Sequence, residues 1–209
     1  MNILDIYNKY HLPERLQMHM LRVAACSNLI LDNWKGEKIN KDSVIKAALL
    51  HDMGNMAKIS DDVIKDEEFR KIKKEYIDKY GRESHKINLI IAKKEGLTDF
   101  EVDIIDKKSS RRSEETLNSG RYDVKILLYT DHRVAPYGVT SVKERLEELK
   151  IRCKNIPQSV WSDAEKANHI IFCTLEIEKQ LLKNCNLSPE DINDNSIEKY
   201  IEQLKKYDI

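Results

Sequence analysis

The chain has 209 residues, and its 36 basic and 36 acidic side chains give a formal net charge of zero. This length suits one domain of ordinary size with its own hydrophobic core, and the balanced charge argues against long nucleic acid or an anionic membrane surface as a partner. No apolar run approaches the roughly 18 residues of a spanning helix, and the first residues lack the basic and apolar segments of a signal peptide, so we expect neither.

Helices are predicted along nearly the whole chain, because only six glycines and four prolines occur. In chain order the predicted helices cover residues 2–10, 13–34, 42–52, 61–80, 82–95, 99–107, 121–134, 141–153 and 158–184, and a last helix, opened by Ser188-Pro189, carries Ile197, Ile201 and Leu204. The polar residues 108–120 predict a mobile loop that has room for one helical turn, and no alternating strand pattern, internal repeat or long linker occurs. The sequence therefore predicts a single-domain, all-α helical bundle over residues 1–209.

Local signals mark several helix ends. Asp42 or Ser43 is the predicted N-cap of the helix that ends near residue 52, and Gly54 can take the left-handed conformation after it. Gly96 is the predicted stop of the 82–95 helix, and the segment that begins with Thr98 has the pattern of a capping box.

The segment 47–55, Ala-Ala-Leu-Leu-His-Asp-Met-Gly-Asn, carries an apolar helix directly into His51 and Asp52. Polar groups at the end of a buried helix need partners, since an unpaired buried polar group is costly. An imidazole nitrogen and a carboxylate oxygen are ligands that a catalytic divalent metal ion takes. This doublet is therefore a candidate metal site.

Two other helices present residues of the same kind toward the core. Asp131 follows Val124 and Leu128 on the apolar face of the 121–134 helix, where a metal ion or an arginine must neutralise it. His19 lies beside the apolar stripe of the 13–34 helix. Taken singly, such a histidine is usually a core residue and such an aspartate usually a cap or an ion-pair partner. The order of His, His-Asp and Asp on successive helices is more specific, and it predicts that these side chains lie together.

This order, His19, His51-Asp52 and Asp131, resembles the HD superfamily of metal-dependent phosphohydrolases, which takes its name from the His-Asp doublet. The resemblance covers an HD core over about residues 12–150, with C-terminal helices over about 158–207. It implies an HD-type helical bundle in which the four residues bind one divalent ion, either Mn, Fe, Co, Ni, Mg or Zn. Residues 129–146 are similar to a subset of small bacterial and archaeal HD proteins.

The resemblance implies hydrolysis of a phosphate ester, of a nucleotide or a related small phosphorylated metabolite, by water that the metal ion activates. Asp52 and His85 are the predicted catalytic residues, and Arg15, Lys58 and Arg133 are predicted to contact the substrate phosphate. The alternative is an ion pair with a nearby acid for Arg133 and a surface role for the other basic residues and His85. His132 should point away from the metal ion, because neighbours on a helix diverge by about 100°.

Several alternatives stay open. Residues 86–130 contain no histidine, which favours one metal ion over two. A metal-binding regulatory or interaction module without turnover is one alternative, and a diiron HD oxygenase, which needs about six protein ligands, is another. The doublet lacks the Gly-Tyr-Pro element of cyclic-dinucleotide phosphodiesterases and the Glu-Asp pair of alarmone hydrolases, so neither branch is favoured.

The expected partners and location follow from the same features. A small phosphorylated molecule is the expected partner, long nucleic acid and membranes are not expected, and a homodimer is open beside a monomer. The four cysteines, Cys26, Cys153, Cys173 and Cys185, form no Cys-x-x-Cys pair. Free thiols in a reducing cytoplasm are therefore expected.

Overall fold

Helices make up most of the chain, as its composition predicts. The computed structural model describes residues 1–156 and 159–209. Within them the α-helices are α1 (Ile3–Lys9), α2 (Glu14–Asp32), α3 (Lys41–Leu50), α4 (Glu67–Tyr80), α5 (Ser84–Lys94), α6 (Asp99–Lys107), α7 (Ser113–Asn118), α8 (Tyr122–Asp131), α9 (Val142–Cys153), α10 (Ala164–Leu182) and α11 (Asp194–Leu204). Short 3-10 helices cover Met53–Lys58, Asp61–Val63, Ser110–Arg112, Val160–Ser162 and Pro189–Asp191. The prediction of an all-α fold is confirmed.

Helix α2 packs against α3, α8 and α11. A buried hydrogen bond of 2.9 Å between the Ser27 and Thr130 hydroxyls holds α2 against the end of α8. The hydroxyl of Tyr7 donates to the Leu49 carbonyl oxygen at 2.7 Å and holds α1 against the end of α3. Because buried hydrogen bonds of this kind are costly to break, they fix the two helix ends that lead into the metal-capable residues.

Position 54 requires glycine because of a close approach to a neighbouring helix, and not because of a left-handed backbone conformation. Among the described residues, the glycines with positive φ are Gly81, Gly96 and Gly138, so the left-handed conformation predicted for Gly54 is wrong, while Gly96 does end α5 as predicted. A Cβ atom on Gly54 would lie 2.1 Å from the carbonyl oxygen of Ser84. Close approach of the 3-10 helix to α5 therefore excludes a side chain at position 54.

The predicted cap of α6 is confirmed and the predicted caps of α3 are wrong. The capping box of Thr98 and Glu101 is present at the start of α6. For α3 the predicted caps Asp42 and Ser43 are wrong, because the side chain of Asn40 accepts from the Ser43 amide one turn earlier. The predicted 61–80 helix begins only at Glu67, since Asp61–Val63 forms a separate 3-10 helix before it.

The predicted loop over residues 108–120 contains more helix than the one turn expected there, because a 3-10 helix at Ser110–Arg112 and α7 fill most of it. The predicted 121–134 helix ends at Asp131, and a two-residue strand, β1 (Val134–Ala135), pairs in antiparallel fashion with β2 (Gly138–Val139). Proline at position 136 disfavours helical conformation in the residue before it, and two residues are too few to show an alternating pattern. The predicted helix over 158–184 begins at residue 158, which lies outside the described residues, and α10 begins at Ala164.

Buried apolar side chains of α1–α6 and α8–α11 form one hydrophobic cluster, and the partly buried Leu117 of α7 packs against it. The single domain predicted over residues 1–209, with an HD core over 12–150 and C-terminal helices over 158–207, stays a prediction. In the part of the chain that the structure describes, no helix combines the length and apolar composition that crossing a membrane requires.

Candidate metal centre

The four residues predicted as metal ligands lie together. His19 projects from α2, His51 caps the C-terminal end of α3, Asp52 follows it directly, and Asp131 is the last residue of α8. One nitrogen or oxygen atom from each lies within 4.8 Å of the corresponding atom of every other. Three helix segments that are distant in sequence therefore place two imidazoles and two carboxylates around one point.

The separations of the donor atoms suit a single ion. Nε2 of His19 lies 3.1 Å from Oδ1 of Asp131 and 3.6 Å from Oδ2 of Asp52. Nε2 of His51 lies 3.6 Å from each of the same two oxygens. Donor atoms about 2.1 Å from one ion are about 3.0–3.4 Å apart as neighbours in octahedral or tetrahedral coordination. Shifts of a few tenths of an ångström would bring these atoms into one coordination sphere.

A hydrogen bond at Nδ1 of His51 leaves the other ring nitrogen, Nε2, available for a metal ion. Its Nδ1 lies 2.7 Å from the carbonyl oxygen of Ala48, and because a carbonyl oxygen only accepts, Nδ1 carries the proton. Its Nε2 is buried and has no hydrogen-bond partner among the described residues. A buried polar atom without a partner costs about 1–3 kcal/mol. A metal ion would supply the missing partner, so the residues present fit the group that their chemistry implies.

The turn that carries Asp52 is fastened by its neighbours. The side-chain amide of Asn55 donates to Oδ2 of Asp52. The hydroxyl of Tyr76 on α4 donates to the Met53 carbonyl oxygen at 2.9 Å, and the Gly54 amide donates to the Asn88 side chain on α5. Asp52 is thereby oriented before any ion binds. Sequence reasoning did not assign this role to Asn55, although it follows the doublet by three residues.

Lys108 is a site residue that sequence reasoning missed. Its Nζ lies 2.6 Å from Oδ2 of Asp131 and 3.7 Å from Oδ1 of Asp52, and its side chain is 11% exposed. A metal ion or an arginine was expected to neutralise Asp131, and this lysine at the C-terminal end of α6 provides part of that charge. Lys107 and Lys108 are adjacent, and nothing in the sequence distinguishes which of the two reaches the site.

The local charges keep both carboxylates ionised. Burial by itself would raise the pKa of Asp131, but Lys108 and the hydrogen bond with His19 hold that pKa well below its ordinary value. Burial likewise opposes ionisation of Asp52, and the charge of Lys108 brings its pKa below the ordinary value. Burial would lower the pKa of Lys108, and the two carboxylates raise it instead. Asp52 and Asp131 are therefore anionic at neutral pH.

Three other predicted site residues lie outside this group of four. His85, on α5, is half exposed, and its Nε2 lies 2.9 Å from Oδ1 of Asp106. Arg15 is exposed in the first turn of α2, one turn before His19, and Lys58 is exposed at the end of the Met53–Lys58 helix. A catalytic role for His85 and phosphate contacts for Arg15 and Lys58 stay predictions.

The predicted phosphate contact of Arg133 is contradicted by its surroundings. Its side chain is buried, and each of its three guanidinium nitrogens donates to the protein. The acceptors are the carbonyl oxygens of Thr140, Pro189 and Ile192 and the hydroxyl of Tyr129. Arg133 therefore fastens the chain before α11 to the end of α8 and has no free nitrogen for a substrate.

His132 points away from the metal centre, as predicted. Its Nδ1 lies 3.0 Å from the Thr174 hydroxyl and its Nε2 lies 2.9 Å from the Ser110 hydroxyl. Burial lowers the pKa of His132 to about 4, so the ring is neutral at physiological pH. It joins the end of α8 to α10 and to the 3-10 helix that follows Lys108.

Comparison with known proteins agrees with this geometry. Residues 16–118, about half of the chain, match the family model of the HD domain. The match contains His19, His51 and Asp52, and the fold adds Asp131 from beyond its end. No curated protein and no solved structure matched the chain. With the doublet at the end of a buried helix and its partners on two others, the chain belongs to the HD domain superfamily.

Proposed function

We propose that this protein is a hydrolase that uses one divalent metal ion to hydrolyse a phosphate ester of a nucleotide or of a related small phosphorylated metabolite. The HD superfamily is one of metal-dependent phosphohydrolases, and membership in it supports the reaction class. The single observation that carries the proposal is the environment of Nε2 of His51. This nitrogen is buried, has no hydrogen bond among the described residues, and faces two carboxylates.

In the proposed site His19, His51, Asp52 and Asp131 hold the ion. Two nitrogen and two carboxylate donors suit Mn, Fe, Co, Ni, Mg or Zn. When bound, such an ion lowers the pKa of a coordinated water and polarises a phosphoryl oxygen. The group of four falls short of the roughly six ligands of a diiron centre, so the oxygenase alternative gains no support from the described residues.

The remaining chemistry belongs to the chain's own side chains. The side chains of His19, Asp52 and Asp131 are each 16% exposed, whereas that of His51 is fully buried, so a phosphate group has access from solvent to one side of the site. Asn55 and Lys108 keep Asp52 oriented, and Lys108 adds a positive charge beside the two carboxylates, which would favour the binding of an anionic phosphate group. The catalytic role assigned to Asp52 depends on this orientation.

The proposal is tested by elemental analysis of the purified protein, followed by phosphate-release assays on a panel of nucleotides and phosphate esters with Mn, Co, Ni and Mg. We expect about one ion per chain and metal-dependent turnover of at least one substrate. Asp52→Asn, which keeps the size of the side chain, should abolish both metal retention and turnover. A wild-type protein that binds an ion yet releases no phosphate would support the regulatory-module alternative instead.

We further propose a cytoplasmic protein whose partner is its small phosphorylated substrate. The four cysteines are free thiols, as expected, with Cys26 and Cys173 buried. Free thiols are usual in reducing compartments, which supports this location. A homodimer stays a prediction. Gel filtration with light scattering of the purified protein would decide between monomer and dimer.

A further inference from the structure

We propose that the ammonium group of Lys108 occupies the place of a second metal ion, so that the centre binds a single divalent ion per chain. This inference rests on the proposed metal centre and adds the reason why that centre would bind one ion and not two. The evidence is that the two oxygen atoms of each carboxylate lie near different cation positions.

Each carboxylate presents one oxygen to the histidines and the other to Lys108. Oδ1 of Asp131 lies 3.1 Å from Nε2 of His19, while its Oδ2 lies 2.6 Å from Nζ of Lys108. Oδ2 of Asp52 lies 3.6 Å from Nε2 of His51, while its Oδ1 lies 3.7 Å from Nζ of Lys108. The two carboxylates therefore bridge two cation positions, one framed by imidazoles and one filled by the ammonium group.

Carboxylates that bridge two cations are typical of centres with two metal ions about 3.5–4 Å apart. A lysine ammonium is a compact point charge that can take one of the two positions, but it offers no lone pair and repels a second divalent ion. His85 and Asp106, which lie on the neighbouring helices α5 and α6, pair with each other at 2.9 Å. Among the described residues they do not join the group of four.

The backbone around Lys108 keeps the ammonium group in place. The Lys108 amide donates to the Ile104 carbonyl oxygen at the end of α6. Two residues later, the Ser110 hydroxyl lies 2.9 Å from Nε2 of the buried His132. The backbone of this turn is therefore held at both ends, and the Lys108 side chain that it carries is only 11% exposed.

The experiment measures metal stoichiometry and does not need turnover. Metal-free wild type, Lys108→Glu and Lys108→Met are titrated with Mn²⁺ to millimolar concentration, and bound Mn is counted by elemental analysis and by electron paramagnetic resonance. We expect wild type to saturate at one equivalent. Lys108→Glu, which exchanges the cation for a ligand, should bind two and give the signal of a spin-coupled Mn pair. Lys108→Met should gain a second, weaker equivalent.

Lys107→Glu is the matched control. Lys107 precedes Lys108 directly, but its Nζ pairs with Asp103 at 3.0 Å on the outer side of α6. This variant should remain at one equivalent. Circular dichroism establishes that each variant is folded, and Lys108→Met decides the question by itself should Lys108→Glu fail to fold.

Two results would overturn the inference while the metal centre stands. One is a wild-type protein that binds two ions, and the other is folded Lys108 variants that saturate at one. A wild-type protein that binds no ion would instead remove the metal centre itself, and this inference with it. Failure of the proposed function is therefore distinguishable from failure of the role of Lys108.

Discussion

Nε2 of His51 faces Oδ1 of Asp131 at 3.6 Å, although one residue follows α3 and the other ends α8. Because Nδ1 of His51 donates to the Ala48 carbonyl oxygen, Nε2 is the ring nitrogen that faces the carboxylate. The two atoms do not form a hydrogen bond with each other, and Nε2 has no other hydrogen-bond partner among the described residues. A divalent ion between them would take both atoms as ligands and supply the partner that the buried nitrogen lacks.

His51→Ala should abolish tight metal binding while the helical content stays close to wild type. The substitution removes a nitrogen that would bind the metal ion. Because residue 51 follows the last turn of α3, the helices need not unfold. Elemental analysis after dialysis against Mn²⁺, together with circular dichroism, measures both. His169→Ala is the control, since His169 is half exposed and pairs with Glu114 at 3.3 Å. Full metal content in folded His51→Ala would contradict the assignment.

Metal binding should stabilise the fold. An ion that binds only the native state at 100 times its Kd adds about 2.7 kcal/mol to the free energy of unfolding. We therefore expect Mn²⁺ to raise the Tm of the wild type and EDTA to reverse the rise. Asp131→Asn should show neither change, because a neutral amide is a poor ligand. An equal rise in Tm for this variant would place the ion elsewhere.

Gly54→Ala should destabilise the protein by about 3 kcal/mol, because the added Cβ would overlap the backbone carbonyl of Ser84, which has to move. The shift displaces Asp52 two residues before it, so metal affinity should also fall. Urea unfolding and Mn²⁺ titration measure the two effects. At Gly120 a Cβ meets no atom within 4 Å, so Gly120→Ala should change neither stability nor metal affinity. Equal stabilities for the two variants would refute the close-approach explanation.

Arg133→Met should lower the free energy of unfolding by about 3 kcal/mol or more, since it leaves buried acceptors without a donor. Metal content per folded chain should stay at the wild-type level. Arg15→Met, at an exposed position, should leave stability within about 0.5 kcal/mol. A role for Arg15 in substrate binding would raise KM in that variant. If Arg133→Met kept the stability of the wild type but raised KM, the prediction that Arg133 contacts the substrate phosphate would be supported after all.

Glu95 should contribute to acid sensitivity. Its carboxylate accepts from Nζ of Lys9 at 2.8 Å and from the hydroxyl of Tyr10 at 2.5 Å. Burial alone would raise the pKa of Glu95, but these two bonds bring it below the ordinary value of 4.5. A carboxyl group whose pKa is lower in the folded state stabilises the fold above its unfolded pKa, and this stabilisation is lost as the pH falls through the folded pKa.

Glu95→Gln should therefore cost about 1 kcal/mol at pH 7, and the difference from wild type should shrink as the pH falls below about 4.5. Urea unfolding at pH 7, 5 and 3.5 provides the comparison. Glu202→Gln, on an exposed side chain that pairs with Lys205, should show no such trend. A difference between Glu95→Gln and wild type that is independent of pH would show that the carboxylate charge does not matter.

The features that the sequence determined by itself depend on neighbours within about one or two helical turns. The apolar periodicity of α2 and α8 placed His19 and Asp131 toward the interior, and the doublet at the end of an apolar run placed His51 and Asp52. The capping box at Thr98 and the stop at Gly96 are equally local signals. These interactions form between residues three or four positions apart, so the pattern of residue types contains them.

The tertiary structure alone decided which residues meet between helices. Periodicity gives the apolar face of a helix but neither its rotation nor its axial position against a neighbour. For that reason Lys108 could not be preferred over Lys107, although α6 brings only Lys108 to the carboxylates. The requirement for glycine at position 54 comes from Ser84, and the role of Arg133 comes from carbonyl groups near α11. Such contacts depend on how the helices pack, and packing is a property of the whole chain.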